Sequence, residues 1–210
     1  MGKFKVPERC WERISMDLSG PYRSSCDGNS YLLVIVDTFS RYCLALPLPD
    51  SKAETVAKHF VENCVLRFGQ PSAVLTDCGR NLTSKIFSEC CKLLGIKRMF
   101  STPYRAFQDG TAEHSIGSVK RCLTALVDQS ASDWDKWAHF AAHALTTTRS
   151  RATGHSPHYL LFGVQPTLGL DFLQAQVIAG PLQLRWRMAS AYKAVKQFKE
   201  MLTLGCANTI

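Results

Sequence analysis

The chain has no Cys-x-x-Cys pair. Its nine cysteines (Cys10, Cys26, Cys43, Cys64, Cys78, Cys90, Cys91, Cys122 and Cys206) are odd in number and scattered, which suits free thiols in a reducing compartment better than a disulfide framework. It also lacks a long hydrophobic run. The longest apolar stretch, residues 31–36, falls far short of the roughly 20 residues that span a bilayer. The N-terminal MGKFKVPERCWER contains no apolar core like that of a signal peptide. An intracellular protein that does not associate with membranes is therefore expected. Internal repeats and low-complexity tracts are absent as well. Acid is the scarcer charge: 17 Asp and Glu face 25 Lys and Arg, giving a net charge of +8 and a pI near 9.1. That balance points to an anionic partner, most often nucleic acid, although a basic soluble protein with no such partner has the same composition. With 210 residues, 46% of them hydrophobic, the chain can bury a core as one domain, or as one domain with an appendage.

The pattern along the chain predicts strands followed by helices. Residues 13–19 (RISMDLS) read as a strand ended by Gly20-Pro21. Residues 31–37 (YLLVIVD) read as a buried central strand, and 42–48 (YCLALPL) as an antiparallel third strand with Pro47 at its end or on an edge. Ser51 and Glu54 form a capping-box pattern. Val56, Phe60, Val61, Val65 and Phe68 then follow at helical spacing, until Gly69 and Pro71 stop the helix. Residues 73–77 read as a strand reached by crossover, 84–94 as a helix ending at Gly95, and 96–100 as a fifth strand. The loop STPYRAFQDG leads into helices at about 111–129 and 133–149. The elements predict an α/β fold, a mixed five-stranded sheet with helices on both faces.

Asp17, Asp77 and Glu113 stand out among the few acids. Asp is depleted in strands, yet Asp17 lies between Met16 and Leu18. Asp77 ends a predicted strand, where functional groups of open sheets gather, but it could equally form a turn before Gly79. Glu113 falls in the predicted first turn of a helix, where the helix dipole alone would favour an acid. Brought together, three carboxylates can hold two divalent ions, the equipment for cutting and joining phosphodiester bonds.

The segments PERCWERISMDLSGP, YLLVIVDTFSRY, VLTDCGRNLTSKIF, CKLLGIKRMFSTPY and QDGTAEH occur in that order, with 35 residues between Asp77 and Glu113. Together they resemble the integrase catalytic core of Ty3/gypsy-type long-terminal-repeat retrotransposons. The later SPHYLLFGVQPTLGLD resembles the segment that follows that core. The resemblance implies an RNase H-like fold and a metal-dependent polynucleotidyl transferase that processes DNA 3′ ends and transfers strands. It implies Asp17, Asp77 and Glu113 as a catalytic triad binding two Mg²⁺ or Mn²⁺ ions, hard cations suited to oxygen ligands. It also implies DNA as partner, a homo-oligomer, and action in the nucleus. The expected organisation is a linker over 1–12, the core over 13–150, a wrapping segment over 151–171 and a basic, helical tail over 172–210. The histidine–cysteine zinc module that precedes such cores is not in this sequence, which suggests a piece of a longer polyprotein.

The sequence departs from the family around Glu113. The family's loop YHPQTDG reads YRAFQDG here, and the Arg, Asn and Arg that follow the family's Glu are replaced by His114, Ile116 and Gly117. The expected DNA contacts are Tyr104, Arg105, Gln108, Lys120 and Arg121, with Lys120 and Arg121 on the exposed side of the helix. These changes keep open the alternative of a drifted or domesticated fragment that binds only DNA or a protein. His139 and His143, spaced i, i+4, lack the Glu of an HExxH motif and are read as a helix face rather than a zinc site. Asp37 is read as a structural turn residue, and Trp134 and Trp137 as core or interface anchors. The basic stretch Arg185 to Lys199 suits either a DNA backbone or a solvated helix face.

Overall fold

A computed structural model describes residues 7–76, 84–100, 106–127, 132–151 and 153–166, with the backbone alone for 106–112. Its sheet is ordered β3-β2-β1-β4-β5 from β1 (Arg13–Ser19), β2 (Tyr31–Asp37), β3 (Cys43–Leu48), β4 (Ala73–Thr76) and β5 (Lys97–Phe100). The first three strands form an antiparallel meander. β4 then pairs parallel to β1, and β5 parallel to β4. Antiparallel neighbours can be joined directly by loops, whereas each parallel pair needs a helical crossover. The segment Ala53–Phe68 and α3 (Lys85–Leu93) supply these crossovers.

β2 reads as an unbroken apolar run because both of its faces are covered. Leu33 and Ile35 join Ile14 and Met16 on one face, packed by Val56, Phe60, Phe87 and Cys91. Leu32, Val34 and Val36 point the other way, against Ile116, Val119 and Leu123 of α4 (Ala106–Leu126) and Trp134, Ala138 and Ala141 of α5 (Trp134–Thr147). Helices therefore cover both faces, as expected. Pro47 lies in β3, at the sheet's edge, where its missing N–H costs no ladder bond.

Asp37, at the end of β2, is fully buried and organises the turn after it. Its carboxylate accepts hydrogen bonds from the Ser40 hydroxyl (2.5 Å), the Ser40 N–H (2.9 Å) and the Trp11 N–H (3.0 Å). The turn reading of this residue stands.

Three local expectations need correction. The first helix begins with Lys52 rather than Ser51 as its cap residue, and no side chain caps it. Asp50 takes over instead: its carboxylate accepts from the Lys52 N–H at 2.9 Å and from Thr55, which leaves Ser51 no task there. That helix runs as α1 (Ala53–Phe60), widens into a π-helical turn at Val61–Val65 and closes with a short turn, α2 (Leu66–Phe68). It stops at Gly69, whose φ of 86° admits glycine readily. Secondly, α4 starts at Ala106, inside the segment read as a loop. Thirdly, a helix absent from the sequence reading, α6 (Pro157–Phe162), lies in the 151–171 segment. Ser156 caps it by accepting from the Tyr159 N–H at 3.0 Å, Pro157 opens it, and Gly163 closes it in the left-handed region. Phe162 stands edge-on to Tyr42 at 5.6 Å, within an aromatic group that includes Trp11 and Phe68. The proposed 172–210 tail lies outside the described residues.

Among the described residues seven cysteines are free thiols, consistent with the scattered spacing. Cys43 and Cys64 are buried, and burial pushes both thiols up to about 12, so they act as small apolar core groups. No described helix is long and apolar enough to cross a membrane.

Candidate active site

Alternation along β1 explains why an aspartate is tolerated mid-strand. Ile14 and Met16 point into the core on one face of the sheet. Asp17 is paired in register with Val34, so its side chain belongs to the opposite face, the one crossed by α4. There it lies near the end of the strand and keeps 24% of its side-chain surface. On α4, Ile116, Val119 and Leu123 recur every three to four residues and press onto the sheet. Lys120, beside this stripe, directs its ammonium to Asp17, with Nζ 2.5 Å from Oδ2.

Glu113 is exposed on the same helix, seven residues before Lys120. Seven residues make about two turns, so the two side chains share a face, with Cα atoms separated by about 10 Å along the axis. The expectation that Glu113 sits in a first turn is wrong: α4 begins seven residues earlier, and the helix-dipole explanation for an acid there lapses. The long helix instead carries Glu113 on the same face as Lys120, whose ammonium reaches the strand that bears Asp17.

Asp77 lies outside the described residues. Its predecessor Thr76, almost fully buried, is the Cα partner of Met16, the residue before Asp17. Tyr104 and Arg105 also lie outside the described residues, and Gln108 is described only as backbone within α4. Arg121 is exposed as expected, with its guanidinium donating to the Ser118 hydroxyl at 2.9 Å. Lys120 departs from the expectation of an exposed residue, since it is half-buried through its pairing with Asp17. Ile116 replaces a polar residue of the family pattern, but it is buried against the sheet, so this position faces the core. His114 remains exposed and Gly117 half-exposed.

The described residues contain no group of three His, Cys, Asp or Glu side chains arranged to hold a metal ion, and this set includes only two of the three acids named above. His139 and His143 belong to α5, as read. Burial pulls the His143 imidazole below the usual histidine range, and neighbouring His158 adds to the shift. A histidine held neutral in the fold protonates more readily once unfolded, so its contribution is complete above about pH 6.5 and is lost as pH falls through the lowered folded value. The melting temperature is therefore expected to drop as pH falls below about 6.5. His143→Gln should flatten that drop in thermal unfolding at matched ionic strength, and parallel curves for the two proteins would refute the assignment.

A mixed sheet in the order β3-β2-β1-β4-β5, with helices on both faces, defines an RNase H-like fold. The structure is similar to that of the HTLV-2 integrase catalytic core domain in complex with magnesium (trimeric form), with a TM-score of 0.58, 20% identity, and coverage of 73% of this chain and 98% of that one. Residues 7–106 match the family described as Integrase core domain. Two relatives agree with the gypsy-type motifs. The Retrovirus-related Pol polyprotein from transposon 412 of Drosophila melanogaster is 29% identical over 168 residues, covering 80% of this chain and 14% of that protein. The Gypsy retrotransposon integrase-like protein 1 of Bos taurus is 24% identical over 159 residues, covering 76% of this chain and 32% of that protein. The chain thus spans well under half the length of these relatives.

Proposed function

We propose that the chain is the catalytic domain of a DNA integrase, which trims element DNA ends and joins them to target DNA in a divalent-metal-dependent reaction. The observation that carries this reading is the Asp17 carboxylate. Within an integrase core domain, it is fixed on the central strand, remains partly open to solvent, and already holds a cationic group at 2.5 Å. A carboxylate that holds an ammonium is chemically fit to hold a metal ion, and oxygen donors favour Mg²⁺ or Mn²⁺. Asp17, Asp77 and Glu113 would be the ligands. Two such ions supply activation of a water or 3′-hydroxyl and stabilisation of the leaving oxygen.

The chain's own residues have separate tasks in this reading. Asp17 gives a fixed anionic anchor, because β1 is hydrogen-bonded on both sides. Glu113 approaches from the helix. Tyr104, Arg105, Gln108, Lys120 and Arg121 would line the path of the DNA backbone, where charge positions the strands without reading sequence. A homo-oligomer acting in the nucleus completes the proposal.

The test incubates the 210-residue chain with Mn²⁺ and a short duplex carrying element ends. Joined products are expected with Mn²⁺ and should disappear on chelation. Shortened fragments alone would make it a nuclease and overturn strand transfer. The exposed His114 and half-exposed Gly117, in place of the family's arginines, favour a second reading: a module that binds DNA without catalysis. Salt-sensitive DNA binding in chelator, with no products from folded protein, would establish that reading instead.

A further inference from the structure

We propose that Lys120 is an exchangeable counter-ion. It occupies Asp17 when no metal is bound and is released to a DNA phosphate when metal binds, so that metal loading and DNA grip are coupled. This rests on the metal-site reading above. The geometry supports it in three ways. The ammonium sits on Oδ2 of Asp17 at 2.5 Å, one of the two oxygens through which this carboxylate could hold a metal. A divalent ion there repels the ammonium, so the two cannot share the carboxylate at close range. Lys120 is also free to leave, since its side chain keeps 36% of its surface and ends a flexible four-carbon stem at the edge of α4's buried stripe.

Arg121 provides the contrast. It is exposed, and its guanidinium is turned toward Ser118 on the same helix. Metal has no contact through which to change its availability. Lys120 alone among the described residues is paired to a proposed metal ligand, so its positive charge becomes available for DNA only after that ligand has acquired another cation. By linkage, DNA that captures Lys120 must in turn strengthen metal binding.

The test compares the full chain with Lys120→Met and Lys120→Arg. Mn²⁺ affinity is measured by calorimetry without DNA. Affinity for a short random-sequence duplex is measured by fluorescence anisotropy, in chelator and in Mn²⁺. Removing the competing ammonium should raise Mn²⁺ affinity by about two- to fivefold, the worth of a partly exposed ion pair. Lys120→Met should bind duplex within about twofold of wild type in chelator but more weakly in Mn²⁺, with a salt slope lower by about one. Lys120→Arg should keep the metal dependence of the wild type. Equal loss of DNA affinity with and without metal would make Lys120 a permanent phosphate contact and overturn the exchange. So would unchanged Mn²⁺ affinity in Lys120→Met, even with a lowered melting temperature, because that pattern marks a merely structural pair. If the wild type binds no Mn²⁺ at all, the metal-site reading fails and the exchange falls with it.

Discussion

Asp17→Asn is expected to lower Mn²⁺-dependent strand transfer by about a thousandfold or more, the scale on which losing one charge-stabilising group at a phosphoryl or acyl transfer site is felt. The substitution keeps the shape of the side chain and its place in β1. It removes the negative charge that would draw a metal ion to the end of the strand. The fold should tolerate it. Asp17 is partly exposed, and its pairing with Lys120, itself 36% exposed, is worth no more than about 1 kcal/mol after solvent screening. The register with Val34 depends on the backbone and is untouched. Rates of joined-product formation, read beside thermal unfolding curves, separate the two effects. A variant that melts near the wild-type temperature yet retains a tenth of the activity would remove Asp17 from the metal site. Asp77→Asn and Glu113→Gln should be equally inactive if the three acids act as a unit.

Phe87→Ala carries the largest expected loss of stability, about 3–5 kcal/mol, equivalent to a fall in melting temperature of about 6–20 °C for a chain of this size. Phe87 is fully buried where α3 meets the sheet, with its ring edge-on to that of Phe60 at 5.6 Å. Arg98 of β5 lies over the same ring, 5.5 Å from its centre. Truncation therefore removes buried area and an aromatic pair, and it takes away one of the two rings Arg98 lies over, the other being Phe100 at 4.8 Å. Both partners of the aromatic pair come from the crossover helices, Phe60 from α1 and Phe87 from α3. Leu93→Ala, in the same helix but 87% exposed, is the control and should change stability by less than about 0.5 kcal/mol. A Phe87→Ala loss below about 1.5 kcal/mol would mean that the core can collapse around the gap.

Much of this fold was readable because its strands obey simple constraints. A six-residue apolar run with no alternation had to be covered on both faces, and β2 is. Pro47 limited β3 to the edge. Gly95 marked the end of α3, whose start the structure places after Ser84, with the Ser84 hydroxyl accepting from the Phe87 N–H. The start of α4 was misread because Gly110 and Asp109 resemble a turn, whereas their positions are helical. Long-range packing of the stripe from Ile116 to Leu123 outweighs the modest local penalty of a helical glycine. α6 was missed although Ser156, Pro157 and Gly163 mark its limits, because six residues carry too little periodicity to register. For the candidate site, spacing singled out Asp17, Asp77 and Glu113, of which Asp77 lies outside the described residues. The Lys120–Asp17 pairing could not be read from the sequence, because 103 residues separate the two and only the folded sheet brings them together.

The double pairing of β1 gives the site a digital character. In a strand bonded on both sides, a slip by one residue cannot shift a side chain slightly; it sends that side chain to the opposite face. Such a slip would replace Asp17 with Met16 or Leu18 and put an apolar group in the carboxylate's place. Damage to the sheet should therefore yield a mixture of fully competent and wholly inert molecules, with altered numbers of active sites and an unaltered rate at each.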